Sequence, residues 1–283
     1  MKILIDVSEH NGKVNLQAAK NTISGIIARC SWGWGNSQID KQWLNNAHQA
    51  EKLDIPLYAY HFCYARTPVE AEKEAQLALK ACCNLPVNVI YYDIEYNEFQ
   101  GDLTPKQYYE IANSFCTTIE NMGYSVGVYA NEYYFRTKLI HEGFSKWTLW
   151  IANYGLNDGY DNWNGKLKYN PFGNVLIHQF TSKGKEGILK NIKGIASEGL
   201  DCNNDYGLLK QFNKYHKNDF ISITLKNKVK VRKNATWYNG DSIPDFVYDN
   251  IYEVIEVLGD RIVIGLNGDV TGAINENELI LVD

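Results

Sequence analysis

Eight short apolar runs recur through the N-terminal part of this chain, at 3–8, 25–31, 56–63, 87–95, 125–131, 148–154, 175–180 and, more weakly, 200–203. Runs of this length bounded by turn residues read as buried strands. Segments of helical character lie between most of them, and strands alternating with helices imply a parallel sheet whose faces are covered. Eight such strands favour a closed β/α barrel over an open doubly wound sheet. The helices carry their own start signals. Thr67-Pro68-Val69-Glu70 supplies an N-cap, a proline for the first helical position and a capping-box glutamate, and Thr104-Pro105 repeats the device. The second of these helices aligns Tyr108, Ile111, Ala112, Phe115, Ile119 and Met122 on one face and meets a natural stop at Gly123.

The pattern changes after residue 154. The stretch Asn157-Asp158-Gly159-Tyr160-Asp161-Asn162-Trp163-Asn164-Gly165 and the Gly- and Lys-rich segment between 180 and 200 lack the marks of crossover helices. The expected fold class is therefore α/β, an irregular TIM-like barrel of about five βα units plus three closing strands, some of them antiparallel. A polar, basic segment at 211–219 reads as a linker. Residues 220–283 show only strands and turns, with strands expected at 221–225, 229–232, 251–257, 261–265 and 279–282, separated by Asn239-Gly240, Gly259-Asp260 and Asn267-Gly268. This suits a small all-β barrel, a module that binds rather than catalyses. The expected division is thus 1–210, 211–219 and 220–283.

Composition narrows the function classes. A net charge of −5 argues against nucleic acid as the main partner, because phosphate neutralisation needs clustered Lys and Arg. No window approaches the roughly 18 consecutive apolar residues of a membrane span. Met1-Lys2-Ile3-Leu4-Ile5-Asp6 enters a strand pattern at once, so no secretion signal is expected. The six cysteines are scattered, with neither a C-x-x-C nor zinc-like spacing, and read as buried thiols suited to a reducing cytosol. The 20 Tyr and 7 Trp are mostly core material, but they also offer flat faces with polar tips that stack on sugar rings.

The chemistry concentrates in Tyr91-Tyr92-Asp93-Ile94-Glu95. Positions i and i+2 of a strand share a face, so Asp93 and Glu95 are expected in one small volume at the strand's C-terminal end. In a β/α barrel that end is the reactive mouth. Asp6 on the first strand and Asp201 on the last reach the same rim once the barrel closes, and Tyr60, Tyr129 and Trp150 are inward aromatics expected to ring the acids and bind substrate. Cleaving a glycosidic bond needs a proton on the leaving oxygen and negative charge beside the developing oxocarbenium ion, and carboxyls supply both. Glu95 is the expected protonated acid and Asp93 the expected carboxylate. Same-face strand positions lie roughly 6.6 to 6.8 Å apart, between the retaining and inverting separations, so spacing leaves the stereochemistry open. The alternatives are a plain strand end with solvated acids, or a calcium or magnesium site built from the four carboxylates. No D-x-D-x-D-G loop, phosphate-cradling Gly-rich loop, H-E-x-x-H or G-x-S-x-G occurs, so no metal and no cofactor are expected. His61 and His178 lie in strands and read as structural.

Taken in order, Asp6-Val7-Ser8, Tyr58-Ala59-Tyr60-His61-Phe62, Tyr92-Asp93-Ile94-Glu95, Val128-Tyr129-Ala130-Asn131, Leu149-Trp150-Ile151-Ala152-Asn153-Tyr154, His178-Gln179-Phe180 and Leu200-Asp201-Cys202-Asn203 resemble glycoside hydrolase family 25, the peptidoglycan-cutting lysozymes. The resemblance covers about residues 1–210 and implies a barrel of five β/α units and three closing strands. It further implies cleavage of β-1,4 bonds at N-acetylmuramic acid, with Glu95 as acid, Asp93 as its partner, and Asp6 and Asp201 as electrostatic and positioning carboxylates. Retention is implied too, by a route in which the substrate's own N-acetyl group is a candidate nucleophile and Asp93 steadies the cation. Two positions depart from the family's usual pattern: His178 where an aromatic residue is common, and Cys202 where an aliphatic or aromatic one is usual. Residues 220–283 resemble, more loosely, bacterial SH3-like wall-binding modules. Together these imply an endolysin or autolysin whose partners are peptidoglycan glycan strands and a cell-wall ligand, reaching the wall through a holin pore or by lysis. The rival readings are a barrel glycosidase acting on chitin-like polymers, a non-catalytic wall-sugar receptor, and a wall amidase or peptidase.

Overall fold

All eight apolar runs form strands: β1 (Ile3–Val7), β2 (Gly25–Trp32), β3 (Leu57–Phe62), β4 (Val87–Asp93), β5 (Ser125–Asn131), β6 (Thr148–Ala152), β7 (Val175–Thr181) and β8 (Asp201–Asp205). They close into a barrel in sequence order. Neighbours from β1 to β7 pair in parallel, while β8 runs antiparallel to both β7 and β1. The expected antiparallel closure therefore falls on one strand. The computed structural model describes residues 3–35, 37–212, 227–258 and 261–282. Contacts divide the chain into two units, Met1–Asn218 and Asp219–Asp283.

The helices of the first unit are α1 (Leu16–Ala19), α2 (Trp43–Leu53), α3 (Pro68–Cys82), α4 (Asn97–Gln100), α5 (Pro105–Asn121), α6 (Glu132–Thr137) and α7 (Leu208–Gln211). Both long helices start at the anticipated capping boxes, in which Thr67 accepts from the Glu70 amide and Thr104 from the Gln107 amide. Helix α5 buries Tyr108, Ile111, Ala112, Phe115, Cys116 and Ile119. Phe115 stacks on Tyr92 at 3.8 Å between ring centroids, which fixes the outer face of β4 against the helix. With Tyr92 turned outward, Tyr91 and Asp93 must turn inward.

The barrel interior is filled by Leu4, Ile27, Tyr58, Val89, Tyr91, Tyr129, Trp150 and Ile177. One glycine makes room for this layer. Tyr91 is the register partner of Gly127 on β5, and a Cβ there would sit 2.3 Å from the Tyr91 ring. Leu208 of α7 joins the same core, with Leu209 and Phe212 packed against it. Helix α7 includes Gln211, so the chain stays folded past the residue where the linker was expected to begin; the rest of that segment, and the strand expected at 221–225, lie outside the described residues.

The second unit is a five-stranded antiparallel sheet of β9 (Lys228–Val231), β10 (Tyr252–Leu258), β11 (Arg261–Leu266), β12 (Asp269–Asn275) and β13 (Leu279–Leu281), in the order β12-β11-β10-β9-β13. Its core is Val229, Val231, Tyr252, Val254, Ile262, Ile264, Ile274 and Leu279, with smaller contributions from the loops. Strand β12 was not expected, because only Ile274 within it is buried. It forms through its hairpin with β11, turned by Asn267 and Gly268, both at positive φ.

Candidate active site

The mouth of the barrel, where the parallel strands end, gathers all four predicted carboxyls. Asp6 and Asp201 are register partners across the β1–β8 seam. Asp93 is the last residue of β4 and is buried. The strand stops there, but the Ile94 amide still donates to the Tyr129 carbonyl at 2.9 Å, so β4 keeps its course long enough to deliver Glu95 to the rim. Glu95 lines a cleft of about 710 Å³ together with Tyr129, Asn131, Glu132, Tyr133, Arg136, Ala152, Asn153 and Tyr154.

Burial dominates the electrostatics. It raises the Asp201 carboxyl to about 9, with the charges of Asp6 and Glu95 adding to the effect and a hydrogen bond joining it to Asp6. Asp6 is also raised by burial, although the Asn203 and Gln179 amides pull it back. The Asn203 amide donates to Asp6 at 2.7 Å, and Gln179 donates to its two oxygens at 3.1 and 3.2 Å. Burial raises Glu95, assisted by Asp6 and opposed by hydrogen bonding with Tyr129. Asp93 is held well above the ordinary carboxylate range by burial, then by Glu95 and Asp6, with the Arg29 guanidinium opposing. Its Oδ1 meets no donor among the described residues. These surroundings weigh against the charged form expected of Asp93. Burial presses both Asp93 and Glu95 towards the protonated form, and the acids titrate as a group.

The three aromatics separate into two roles. Tyr60 sits at the rim, where burial and then the charges of Asp6 and Asp93 push up its phenol. The Tyr129 hydroxyl donates to Gln179 at 2.9 Å, and the residue lines the cleft. Trp150 was expected to bind substrate, but it is only 1% exposed, enclosed by Tyr60, Tyr91 and Tyr129. An eight-stranded barrel is just wide enough for its own side chains to fill, so an inward aromatic below the rim becomes core. Its indole N–H donates to Asn203 at 2.7 Å, which turns the Asn203 amide group towards Asp6.

Several residues escaped the sequence reading. Gln179 and Asn203, which cradle Asp6, were quoted within motifs but given no role. Arg29 is a lone charge in an otherwise apolar strand, and that anomaly was the available signal. Its guanidinium is paired with Asp40 at 2.8 Å and Glu9 at 3.0 Å. The cleft residues Glu132, Asn153 and Tyr154 gave no comparable signal. The two histidines are structural: His178 Nε2–H donates to the Asn153 carbonyl at 2.8 Å, and His61 Nδ1 pairs with the Ser31 hydroxyl at 2.8 Å. Cys202 is buried, and a Cβ on Gly184 would lie 2.2 Å from its Sγ, so that departure from the family pattern is accommodated by a glycine. Among the described residues, no group of three His, Cys, Asp or Glu is arranged to hold a metal ion. Among the same residues, no helix is long and apolar enough to cross a membrane.

Comparison with known proteins agrees with this geometry. The family described as glycosyl hydrolases family 25 matches residues 5–188. A lysozyme of Streptococcus phage Cp-1 is 29% identical over 170 residues, covering 56% of this chain and 46% of that protein, so the chain spans about half the length of this relative. The CTP1L endolysin structure superimposes with a TM-score of 0.60 at 23% identity, covering 75% of this chain and 70% of the endolysin. The modular autolysin LytC from Streptococcus pneumoniae, solved in complex with a synthetic peptidoglycan ligand, gives a TM-score of 0.57 at 25% identity, covering 71% of this chain and 46% of LytC. The family match runs from β1 into the loop after β7 and takes in Asp6, Asp93 and Glu95. This chain belongs to glycosyl hydrolases family 25.

Proposed function

We propose that the protein is a lysozyme that hydrolyses the β-1,4 bond between N-acetylmuramic acid and N-acetylglucosamine in peptidoglycan. The observation that carries this reading is the convergence of Asp6, Asp93, Glu95 and Asp201 at one rim, with Glu95 opening onto the 710 Å³ cleft. Family membership and a relative solved with a peptidoglycan ligand support the same substrate class.

In this reading Glu95 gives its proton to the glycosidic oxygen, and the leaving sugar departs as an alcohol. Glu95 carries the proton in this reading, and Asp93 becomes the anion as substrate supplies it with a donor, with Arg29 favouring that charge. Asp93 Oδ1, which has no donor among the described residues, then accepts from the acetamido N–H of the substrate, turning the acetamido oxygen towards the anomeric carbon. The anomeric cation is captured by that oxygen, and Glu95, now a carboxylate, deprotonates the water that completes hydrolysis with retention. Asp201 holds its proton and shares it with Asp6, limiting the negative charge of the rim.

The C-terminal sheet serves in this proposal as an SH3-like wall-binding module, and the barrel, with α7 included, as the catalytic unit. The enzyme meets the wall after passage through a holin-type pore or after lysis. Mass spectrometry of peptidoglycan digested by the protein tests the bond. Products ending in reducing N-acetylmuramic acid are expected, whereas products ending in reducing N-acetylglucosamine, or released peptides alone, would overturn the assignment.

A further inference from the structure

One arginine stands in the 710 Å³ cleft, and it is built into place. Among the described residues that line the cleft, Arg136 is the only Lys or Arg. It lies in the last turn of α6, one turn after Glu132, with its side chain about half exposed. Its Nε donates to Glu132 Oε1 at 2.6 Å. Its guanidinium carbon sits 4.0 Å from the centre of the Tyr169 ring. Tyr169 comes from the loop between β6 and β7, and its hydroxyl donates to the Phe135 carbonyl at 3.3 Å, so this platform is fastened to the helix that carries the arginine.

An exposed ion pair one turn apart on a helix is common and contributes little. This one is tied from both sides. Glu132 Oε2 accepts from the Asn153 side chain, just after β6. Asn153 is fixed in turn, because its carbonyl accepts from His178 at 2.8 Å and its amide donates to the Gln179 carbonyl at 3.0 Å. The ion pair uses only Nε of the guanidinium, and the two terminal nitrogens have no hydrogen-bond partner among the described residues. A guanidinium held through Nε and stacked on a ring presents its remaining N–H groups as a fixed fork, the geometry that matches a carboxylate.

We propose that the free end of the Arg136 guanidinium binds a carboxylate carried on the lactyl ether arm of N-acetylmuramic acid, so that Arg136 selects muramyl over plain N-acetylglucosaminyl rings in the cleft. The proposal rests on the peptidoglycan reading above. The lactyl arm ends in a carboxyl group, either free or amide-linked to a stem peptide that bears carboxylates of its own. The shared chemistry is a carboxylate tethered to the muramyl ring. Such an anion enters a mouth that already holds four carboxyls, and Glu132 adds another to the cleft wall. Because Glu132 offsets the charge of Arg136 at a distance, discrimination falls to the directed N–H groups at contact. N-acetylglucosamine carries a hydroxyl at that ring position, which offers the fork no charge.

The test uses the full chain and its Arg136→Gln and Arg136→Lys variants, both changes being at an exposed side chain. Glutamine removes the charge. Lysine keeps it but has a single nitrogen, which Glu132 occupies. The substrates are peptide-free glycan strands with the lactyl carboxylate intact or converted to its neutral methylamide, and peptide-bearing strands with the stem carboxylates intact or amidated in the same way. Wild type is expected to show a kcat/KM roughly tenfold higher on at least one carboxylate-bearing form than on its neutral counterpart, with the difference in KM. Both variants are expected to bring that ratio close to one by losing the KM advantage. A ratio lost on the peptide-free pair assigns the lactyl carboxylate, and one lost only on the peptide-bearing pair assigns the stem peptide; either supports the proposal. A wild-type ratio near one on both pairs, a full ratio kept by either variant, or equal losses on charged and neutral strands would overturn it. Wild-type inactivity on intact walls would instead remove the hydrolase reading itself, so the two failures are distinguishable.

Discussion

Asp6 and Asp201 face each other as register partners where the antiparallel β8 meets β1, so the strand that closes the barrel also completes an acid pair. Two carboxyls in one buried volume cannot both ionise cheaply, and a shared proton resolves the conflict. Asp201, raised to about 9, keeps that proton at neutral pH, while Asn203 and Gln179 supply donors that favour charge on Asp6.

A pH dependence of stability follows from the pair. Asp201 has an ordinary value of 3.8 and a folded value of about 9, so between these pH values the folded state holds a proton that the unfolded chain has lost. Stability is then full below about pH 4 as far as this group is concerned, and falls as pH rises towards 9. Asp201→Asn carries no titrating proton. The variant is expected to show a flatter Tm against pH from about 4 to 9 by calorimetry, and a profile parallel to wild type would refute the assignment.

Removing the proton donor should leave a folded but inert protein. Glu95→Gln keeps the size and hydrogen-bonding reach of the side chain but cannot protonate the leaving oxygen. Clearing of wall suspensions should fall by roughly 10²- to 10⁴-fold, with wall binding and circular dichroism unchanged. Clearing at the wild-type rate would exclude Glu95 as the acid.

The separation into two units predicts a division of labour. A chain ending at residue 219 should lose binding to intact walls by a larger factor than it loses hydrolysis of short glycan fragments. Pull-down on purified walls and fragment kinetics measure the two losses. Equal losses would argue that the C-terminal sheet serves the barrel's folding and not its targeting.

The strands, their order and the gathering of acids were legible because each depends on local pattern. Period two chooses the face of Asp6, Asp93 and Tyr60, and capping boxes mark where α3 and α5 begin. What depends on neighbours distant in sequence was not legible. Strand β8 extends to Asp205 through polar residues, because antiparallel partners on both edges hold its backbone. Strand β12 has too few apolar residues to announce itself. The Arg29 pairs with Glu9 and Asp40 join residues from separate loops, and Gln179 reaches Asp6 from a strand at the far end of the first unit. Alternation also gives the face of a residue without its depth, which is why Trp150 was assigned to the substrate.

Depth makes Trp150 the clearest discriminating variant. Trp150→Phe keeps most of the buried ring but deletes the indole N–H that donates to Asn203 at 2.7 Å. The Asn203 carbonyl oxygen is then buried without that donor, at a cost of about 1 to 3 kcal/mol. The Asn203 amide also loses the constraint that points it at Asp6. The expected result is a lower Tm and a reduced kcat with KM little changed, because the ring is closed off from the cleft by Tyr60 and Tyr129. A stacking platform would behave in the opposite way, with KM rising and Tm unchanged. Thermal melts paired with steady-state kinetics on solubilised glycan strands separate the two, and a pure KM effect would return Trp150 to the substrate.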